Sequence, residues 1–389
     1  MSADRSPPAD GSITDRPLRI AIACSSPSWG GLEMQSVHSA RALRERGHDV
    51  WLLCAAGTKV ESEARALCRV VPSLRGRYVD VGGIRRVRTF LDESEIDVVH
   101  LELGRDLWTI VPAARSAKRR PALIYTQRMQ SSVDKKDPAH QLLYRSLDRV
   151  IAISEVVKAN LVKRFPVPEE RIVVIPNGVD LALYDVTPEA REAATNTVPW
   201  KPGVPVVALL GRISRGKGHT KLIEAAPAIL ERAPETQFAL IGSVSDGEEE
   251  YAADLDARIT AAGLAGRVHK LGFRDDVPAV LSLCTLLVAP SESESLGNVV
   301  LEGMAAGLPV VAARSGAFPE LVVHGETGLL YDVKDANGLA DPVTEILADQ
   351  SLAARFGSAG RARVTQNYDR ARRTDHVLKL YKDVLAERK

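Results

Sequence analysis

The chain has 389 residues, of which 45% are hydrophobic and 26% charged, and its formal net charge is +1 at pH 7. This length suits two domains, and the composition is that of a globular protein, which excludes a wholly disordered chain. The balanced charge gives no general case for nucleic-acid binding, and no run of about 18 apolar residues predicts a membrane-spanning helix.

The cysteines and the first residues indicate the compartment. Cys24, Cys54, Cys68 and Cys284 have no CxxC spacing, which argues against a zinc site and for buried thiols in a reducing environment. Residues 1–17 are polar, contain Pro and Gly, and have no apolar signal core. They predict a disordered lead-in to a cytoplasmic protein.

Short β-branched runs alternate with helical stretches through the first half of the chain. The runs are LRIAIACSS (18–26), DVWLLCAA (49–56), DVVHLEL (97–103), PALIYTQ (121–127), RVIAIS (149–154) and RIVVIPNG (171–178). A turn containing Gly30 and Gly31 follows the first run and leads into an amphipathic helix. Strands that alternate with helices at this spacing predict a parallel sheet covered on both faces.

The polar, proline-containing stretch 186–203 predicts a domain boundary. The alternation then restarts, with strands predicted at VPVVALL (204–210), QFALIGS (237–243), RVHKLGF (267–273), TLLVAPS (285–291) and PVVAA (309–313). We therefore predict an α/β protein of two Rossmann-like doubly wound domains, over residues 18–190 and 198–368, followed by a helical segment over 369–389. Such sheets bind ligands at the carboxyl ends of their strands, so we expect the site in a cleft between the domains.

The stretch GRISRGKGHT (211–220) is almost a P-loop. A P-loop requires Ser or Thr after its lysine to bind the Mg²⁺ of a nucleotide, and here that position is Gly218. Arg212 leaves the end of a predicted strand and Lys217 precedes a helix, so both could neutralise a diphosphate without a metal ion. The alternative is that they are two solvated cations in a turn.

The stretch PSESESLGNVVLEGMAAGLPVVA (290–312) follows an apolar strand. Ser295 is a predicted N-cap, and the helix is predicted over 296–306. Glu302 lies in this helix among apolar residues, and a buried carboxylate needs partners such as two adjacent sugar hydroxyls. Glu294 precedes it by roughly 12 Å along the helix axis, about the length of a diphosphate with a sugar at each end.

Three backbone amides lie between the two carboxylates, and they belong to Leu296, Gly297 and Asn298. Amides at a helix N-terminus, together with the helix dipole, favour phosphate. The alternative interpretation makes Glu294 a partner of the helix dipole and Glu302 a member of a structural ion pair.

These motifs, in this order and spacing, resemble the retaining glycosyltransferases of family 4, which have the GT-B fold. The resemblance covers nearly the whole chain after residue 17. It is carried by GRISRGKG (211–218), ESESLGNVVLEG (292–303), IPNGVD (175–180), SEVVKANL (154–161), GGLEMQ (30–35) and SGAFPELVVHGETGLL (315–330).

The resemblance implies roles for individual residues. Arg212 and Lys217 would grip the donor diphosphate, and Glu302 would hold the nucleotide ribose. Glu294 would hold the transferred sugar and phosphate with the amides of Gly297 and Asn298.

The resemblance also implies contacts around the rest of the donor. The base would lie against Phe273 and Arg274, and Gly30 and Gly31 would approach the donor or acceptor. The last helix would cross back onto the first domain.

One departure from the family pattern concerns the first domain. Many members have a histidine after the fourth strand, near the sugar, where this chain has Gln127 and Arg128. Gln127 could hydrogen-bond a sugar hydroxyl but cannot titrate, and Arg128 could face a phosphate. Both could equally lie in a solvated loop. His100, at the end of a strand, is either a sugar or acceptor contact or a structural histidine.

Two further patterns bear on metals and on other functions. Asp254 and Asp256 form a DxD pattern, but it lies in a helical stretch, so we predict no metal site. A P-loop NTPase is opposed by Gly218, and the alternative of a sugar-nucleotide epimerase with this fold stays open.

The sequence therefore predicts a retaining, metal-independent glycosyltransferase that uses a nucleotide sugar, of the UDP or GDP type, and no resident cofactor. The expected role is in cell-surface glycolipid, lipopolysaccharide or other glycan synthesis, with a glycan or lipid-linked acceptor. The sequence does not identify the donor base, the sugar or the acceptor.

Basic clusters in the first domain suggest peripheral contact with an anionic membrane at its inner face. Their members are Arg75, Arg77, Arg85, Arg86, Arg88, Arg115, Lys118, Arg119 and Arg120. The alternative is a solvated basic surface.

Overall fold

Strands and helices alternate along the chain in the computed structural model, which describes residues 16–75, 80–335 and 338–388. The chain divides into two units. The first comprises Met1–Pro176 and Arg373–Lys389, and the second comprises Asn177–Arg372. Most of the predicted lead-in and Arg77 lie outside the described residues.

The first unit contains a seven-stranded parallel sheet in the order β3-β2-β1-β4-β5-β6-β7. The strands are β1 (Arg19–Cys24), β2 (Asp49–Ala55), β3 (Arg69–Leu74), β4 (Val98–Leu101), β5 (Ala122–Gln127), β6 (Arg149–Ala152) and β7 (Ile172–Val174). The helices before residue 176 are α1 (Gly31–Glu45), α2 (Lys59–Arg65), α3 (Val81–Glu93), α4 (Leu107–Ser116), α5 (Pro138–Tyr144) and α6 (Glu155–Arg164). Every residue of β4 and β5 is buried, as expected for strands covered on both faces.

The second unit contains a six-stranded parallel sheet in the order β10-β9-β8-β11-β12-β13. Its strands are β8 (Val206–Leu210), β9 (Gln237–Ile241), β10 (Val268–Gly272), β11 (Leu286–Ala289), β12 (Val310–Ala313) and β13 (Gly328–Tyr331). Its helices are α7 (Pro188–Thr195), α8 (His219–Arg232), α9 (Glu249–Ala261), α10 (Val277–Leu281), α11 (Asn298–Ala305), α12 (Phe318–Leu321), α13 (Ala340–Ala348) and α14 (Gln350–Asn367).

Each sheet has one strand that the sequence pattern did not predict. Both β3 and β13 are edge strands. β3 contains Pro72 and is partly exposed, and β13 is only four residues long and begins at Gly328. Proline, glycine and exposure all weaken the strand pattern, and edge strands tolerate them best.

The final helix, α15 (Arg370–Glu387), returns to the first unit, which includes the chain from Arg373 onward. Its apolar side chains, among them Val377, Tyr381 and Val384, join the core cluster that contains Ile20 and Ile22 of β1. The last helix of the chain therefore completes the hydrophobic core of the first unit.

The division between the units falls after Pro176, ahead of the predicted boundary at residue 190. The segment 177–185 makes its hydrogen bonds within the second unit. The Val179 amide donates to the Tyr368 carbonyl at 2.8 Å, and the Arg370 amide donates to the Val179 carbonyl at 3.0 Å. The polar composition of residues 186–203 predicted a later boundary, but these backbone hydrogen bonds place the segment 177–185 in the second unit.

In each sheet the strand order reverses at one point. In the first sheet, β2 and β3 lie on one side of β1 and β4 lies on the other. In the second sheet, β9 and β10 lie on one side of β8 and β11 lies on the other. Loops that leave two neighbouring strands at such a switch point diverge to opposite faces and leave a crevice between them. The candidate site is therefore expected at the carboxyl ends of β1 with β4 and of β8 with β11.

In the described ranges, no helix combines the length and the apolar character needed to cross a bilayer.

Candidate functional site

Two predicted motifs meet at the switch point of the second sheet. β8 and β11 are neighbouring parallel strands, and the loops that follow them carry GRISRGKG and PSESESLG. The loops are joined directly, because the Glu292 amide donates to the Gly216 carbonyl at 3.2 Å and the Ser291 hydroxyl donates to the Lys217 carbonyl at 3.4 Å. Motifs far apart in sequence thus form one surface.

Lys217 and Glu294 form an ion pair within this surface. Lys217 Nζ lies 2.5 Å from Glu294 Oε1, and the side chains are 35% and 15% exposed. Arg212, in the same loop as Lys217, is exposed and makes no ion pair with a residue in the described ranges. These three side chains together carry one net positive charge, which favours an anionic ligand.

Gly218 explains why the P-loop hydroxyl is missing. Its φ is +83°, in the left-handed region, and it caps helix α8. A Cβ at this position would lie 2.3 Å from the Pro290 carbonyl oxygen. Only glycine fits there, so the loop cannot carry the Ser or Thr that a P-loop uses to bind Mg²⁺.

The helix after β11 begins later than predicted. Gly297, with φ +97°, is the N-cap, and α11 starts at Asn298, whereas the prediction had Ser295 as the cap and Leu296 in the helix. A Cβ on Gly297 would lie 2.5 Å from Phe318 Cε1, so close packing against α12 requires glycine here. The sequence could not reveal this contact, because Phe318 lies on a separate element.

Glu302 lies in the middle of α11 and is half-buried. Its carboxylate has no hydrogen bond or ion pair with any residue that the structure describes. Burial raises the pKa of this carboxyl to about 7, and the nearby charge of Arg370 opposes the rise. A carboxyl group in this condition can gain stability from a ligand that offers it hydrogen-bond donors.

The segment 177–185 contacts α11 at its start and is linked to its end through Arg361 of α14. Asn177 Nδ2 donates to Asn298 Oδ1 at 3.2 Å at the start of the helix. At the other end, Arg361 donates to the Ala305 carbonyl at 2.8 Å and pairs with Asp185.

Tyr184 and Arg370 are functional candidates that the sequence interpretation missed. Burial and the nearby charge of Glu302 both raise the pKa of Tyr184. Arg370 pairs with Asp180 at 3.2 Å. Asp180 belongs to the IPNGVD motif, which carried part of the resemblance without a predicted role.

Phe273 and Arg274 follow the edge strand β10. Phe273 is 68% exposed, so its ring is open to a planar ligand. Arg274 is already engaged, because it donates to Asp276 at 2.7 and 2.6 Å and to Thr197 at 2.8 Å. The predicted contact with a base therefore stays a prediction, with Phe273 the more available of the two side chains.

In the first unit, His100 is a structural residue. It is buried, its Nδ1 lies 2.5 Å from the Tyr381 hydroxyl, and its Nε2 lies 2.6 Å from Thr126 Oγ1. Burial lowers the pKa of the imidazole to about 4, so it is neutral. Both ring nitrogens are engaged within the protein, which favours the structural alternative for His100 over a contact with a sugar or acceptor.

Gln127 and Arg128 are also engaged within the protein. The Tyr125 hydroxyl donates to Gln127 Oε1 at 2.5 Å, and Gln127 Nε2 donates to the Met129 carbonyl. Arg128 forms a buried ion pair with Glu102 at 2.7 Å. These partners position the loop after β5. The predicted contacts of Gln127 with a sugar and of Arg128 with a phosphate stay predictions.

Gly30 and Gly31 begin helix α1 near the switch point of the first sheet. Gly30 has an extended backbone with φ −161°, and no atom lies within 4 Å of where a Cβ on Gly31 would stand. The predicted approach of a ligand to these glycines stays a prediction.

A buried carboxylate that the sequence did not reveal stabilises the loop leading to these glycines. Asp106 accepts from the Ser25 amide at 3.0 Å and from the Ser25 hydroxyl, and burial raises its pKa to about 6.

The DxD pattern lies on a helix, as predicted. Asp254 and Asp256 belong to α9 and pair with Arg258 at 2.7 Å and Lys270 at 2.6 Å. Within the described ranges, no group of three or more His, Cys, Asp or Glu side chains is arranged to hold a metal ion.

One basic cluster lies away from the carboxyl edge of the first sheet. Arg115 lies in the last turn of α4, and Lys118, Arg119 and Arg120 precede β5, so this cluster is at the amino edge of the sheet. It therefore cannot form a basic rim beside the carboxyl ends of β4 and β5.

Two family models match the chain. The model described as "Glycosyl transferases group 1" matches residues 191–363, and the model described as "Glycosyltransferase Family 4" matches residues 29–183. The first matched range contains every predicted donor-binding residue of the second unit.

Curated relatives are named for different products and substrates. The alpha-maltose-1-phosphate synthase of Mycolicibacterium smegmatis is 32% identical over 61% of this chain and 64% of its own length. The GDP-mannose-dependent alpha-(1-6)-phosphatidylinositol monomannoside mannosyltransferase of Mycobacterium tuberculosis is 30% identical over 76% of this chain and 77% of its own length. The match to the first of these thus spans just under two thirds of that relative.

Among solved structures, the Anabaena protein Alr3699/HepE in complex with UDP and glucose is similar to this chain. The TM-score is 0.80 and the identity 25%, over 94% of this chain and all of that one. The predicted fold class, an α/β protein with two doubly wound parallel sheets, is confirmed.

Proposed function

The chain belongs to the family of glycosyl transferases group 1, and from this we propose that it moves a sugar from a nucleoside-diphosphate sugar to an acceptor hydroxyl, with retention of configuration and without a metal ion. The donor is of the UDP or GDP type. No resident cofactor takes part in this scheme.

The observation that carries the proposal is the Lys217–Glu294 pair in the same unit as the unpartnered carboxyl of Glu302. Arg212 and Lys217 would neutralise the donor diphosphate, and Glu302 would accept hydrogen bonds from two adjacent ribose hydroxyls. Glu294, on the loop between β11 and α11, would contact the transferred sugar. Lys217 Nζ donates to its carboxylate at 2.5 Å.

The proposed chemical step needs no protein nucleophile. The bond from the sugar anomeric carbon to the diphosphate oxygen breaks, and the acceptor oxygen bonds to that carbon on the same face. The acceptor proton passes to an oxygen of the leaving diphosphate. Arg212 and Lys217 stabilise the negative charge that develops there, and such preorganised electrostatic stabilisation is usually the largest single contribution to enzyme catalysis.

We propose a glycan or lipid-linked acceptor in cell-surface glycolipid or polysaccharide synthesis. One relative is named for action on a phosphatidylinositol mannoside, which supports an acceptor of this class. Another is named for the synthesis of a sugar phosphate, so a small acceptor is the competing outcome. Peripheral contact with an anionic membrane belongs to the same proposal.

The proposal is tested by thermal shift with UDP, GDP, ADP and TDP and with their sugar conjugates. A true donor at 100 times its dissociation constant should stabilise the protein by about 2.7 kcal/mol. The best donor is then incubated with and without candidate acceptors, and the anomeric configuration of the product is read by NMR. Isomerisation of the donor without acceptor would instead indicate an epimerase, and absence of any nucleotide shift would overturn the proposal.

A further inference from the structure

The loop after β5 and the helix α5 expose three large apolar side chains. Met129, Val133 and Leu142 are 66%, 63% and 61% exposed. Single exposed apolar residues are ordinary, but three so strongly exposed within one short segment mark an interaction surface. We call these three side chains, with Lys135, Lys136 and Lys163, the apolar–lysine patch.

The loop is tied down, so these side chains are held outward. Ser131 exchanges two hydrogen bonds with Asn160 of α6, at 2.8 and 3.1 Å, and the Lys135 amide donates to the Arg164 carbonyl at 2.8 Å. The Ser131 hydroxyl donates to the Val133 carbonyl at 2.8 Å and accepts from its amide at 3.2 Å. The apolar side chains therefore protrude from a preformed surface.

The lysines of the patch have no ion pair with a residue in the described ranges, and Lys136 and Lys163 are exposed. Of the two acidic residues of the same loop, Asp134 pairs with Arg164 at 2.8 Å, and Asp137 accepts from the His140 amide at the start of α5. The three lysines therefore outnumber the one carboxylate that no Lys or Arg of the described ranges pairs with. Uncompensated cations beside protruding apolar side chains match a surface that offers both hydrocarbon and negative charge. An anionic bilayer has that chemistry.

The patch begins at the carboxyl edge of the first sheet. Met129 lies two residues after Gln127, the last residue of β5, whereas the cluster at 115–120 precedes that strand. From there the loop runs along α6, from Asn160 to Arg164 at the end of that helix. Docking through the patch would hold its Met129 end, and with it the carboxyl end of β5, at the membrane, where a lipid-linked acceptor is presented.

We propose that the apolar–lysine patch docks the protein reversibly on anionic membrane surfaces. Only the purpose of the docking rests on the proposed transferase function, since vesicle binding needs no donor sugar. Met129, Val133 and Leu142 would enter the headgroup boundary while the lysines contact anionic headgroups.

The test is co-sedimentation of the full chain with phosphatidylcholine vesicles that contain or lack phosphatidylglycerol. Wild type should bind only the anionic vesicles and be released as salt rises, because screening shortens to about 8 Å at 0.15 M. Lys135→Gln/Lys136→Gln should weaken binding about 25-fold, or about fivefold per cation. Val133→Asp/Leu142→Asp should weaken it by about tenfold or more for each apolar side chain.

The matched control is Arg115→Gln/Arg120→Gln, which removes the same number of charges from the amino edge of the sheet. It should bind vesicles like wild type. An equal loss in this control would assign binding to general charge and overturn the proposal. So would unchanged binding in both patch variants, or a patch variant that alters only self-association in sedimentation velocity.

Nucleotide thermal shifts separate this proposal from the transferase proposal. Patch variants should keep the wild-type response to nucleotides, because the residues proposed to bind the diphosphate and the ribose lie in the second unit. Vesicle binding without any nucleotide response would leave docking supported and the proposed function rejected, and the reverse result would reject docking alone.

Discussion

At the scale of single residues, Lys217 is the clearest test of the proposed chemistry. It is partly exposed and pairs with Glu294, so it supports no core. Lys217→Ala should lower turnover by about 10²–10³-fold, the usual effect of losing one preorganised charge-stabilising group. Steady-state rates at saturating donor measure this.

Arg215 provides the control for Lys217. It lies in the same loop, is 67% exposed, and approaches Glu248 at 3.6 Å. Arg215→Ala should change turnover little. Full activity of Lys217→Ala, or an equal loss in Arg215→Ala, would show that Lys217 does not act on the diphosphate.

Glu302 should make nucleotide binding depend on pH. Burial raises its pKa to about 7, and the groups that face it are Arg370 and Tyr184. If the carboxylate form binds the ribose, affinity should fall about tenfold for each pH unit below 7. Calorimetric titration between pH 5 and pH 8, with Glu302→Gln as the control, should show a pH-dependent component in wild type that the variant lacks.

The free energy of unfolding should depend on pH in the opposite direction from nucleotide affinity. The folded pKa of Glu302 lies above its ordinary value of 4.5, so the stability it contributes is present below that value and is lost as pH rises through about 7. Glu302→Leu should therefore melt at a higher temperature than wild type at pH 8, with a smaller gain at pH 5. A variant that unfolds at both pH values would show that Glu302 has a structural partner.

At the scale of elements, the loop between β8 and α8 is shaped by Gly218. Gly218→Ser would complete the P-loop pattern, but the new Cβ would lie 2.3 Å from the Pro290 carbonyl oxygen. We expect a lower melting temperature and no magnesium-dependent ATP hydrolysis. Differential scanning calorimetry and a phosphate-release assay measure the two effects.

Gly216→Ser is the matched control, since Gly216 has φ +80° but nothing within 4 Å of a Cβ. Gly216→Ser should lower the free energy of unfolding only by the cost of the backbone strain, about 1–3 kcal/mol. The packing argument fails if Gly218→Ser is as stable as Gly216→Ser, and the rejection of an NTPase fails if Gly218→Ser hydrolyses ATP.

At the scale of the whole molecule, the last helix holds together the unit formed by the first residues. Tyr381 of α15 is fully buried and contacts His100 of β4 through its hydroxyl. Tyr381→Ala should destabilise the first unit by about 3–5 kcal/mol. Hydrogen exchange should show lost protection in β1 and β4, while the strands of the second unit keep theirs.

Lys379→Ala is the control on the same helix. Lys379 is exposed and pairs with Asp383 four residues later at 2.6 Å, an arrangement worth about 0.3–0.5 kcal/mol. The hydrogen-exchange pattern of Lys379→Ala should match that of wild type. Equal loss of protection in both units after Tyr381→Ala would show that they unfold together.

The sequence by itself determined what depends on neighbouring residues. The alternation of apolar runs and helices predicted eleven of the thirteen strands in the described ranges, and the motifs marked Lys217, Glu294 and Glu302 as candidate site residues. It could not predict what depends on contacts between distant segments. Only the tertiary structure places Phe318 against Gly297 and Pro290 against Gly218, and only it buries His100 with Tyr381 and Arg128 with Glu102. A local pattern reflects the preferences of a residue, whereas its burial and its partners are decided by distant segments, 281 positions away in the case of His100 and Tyr381.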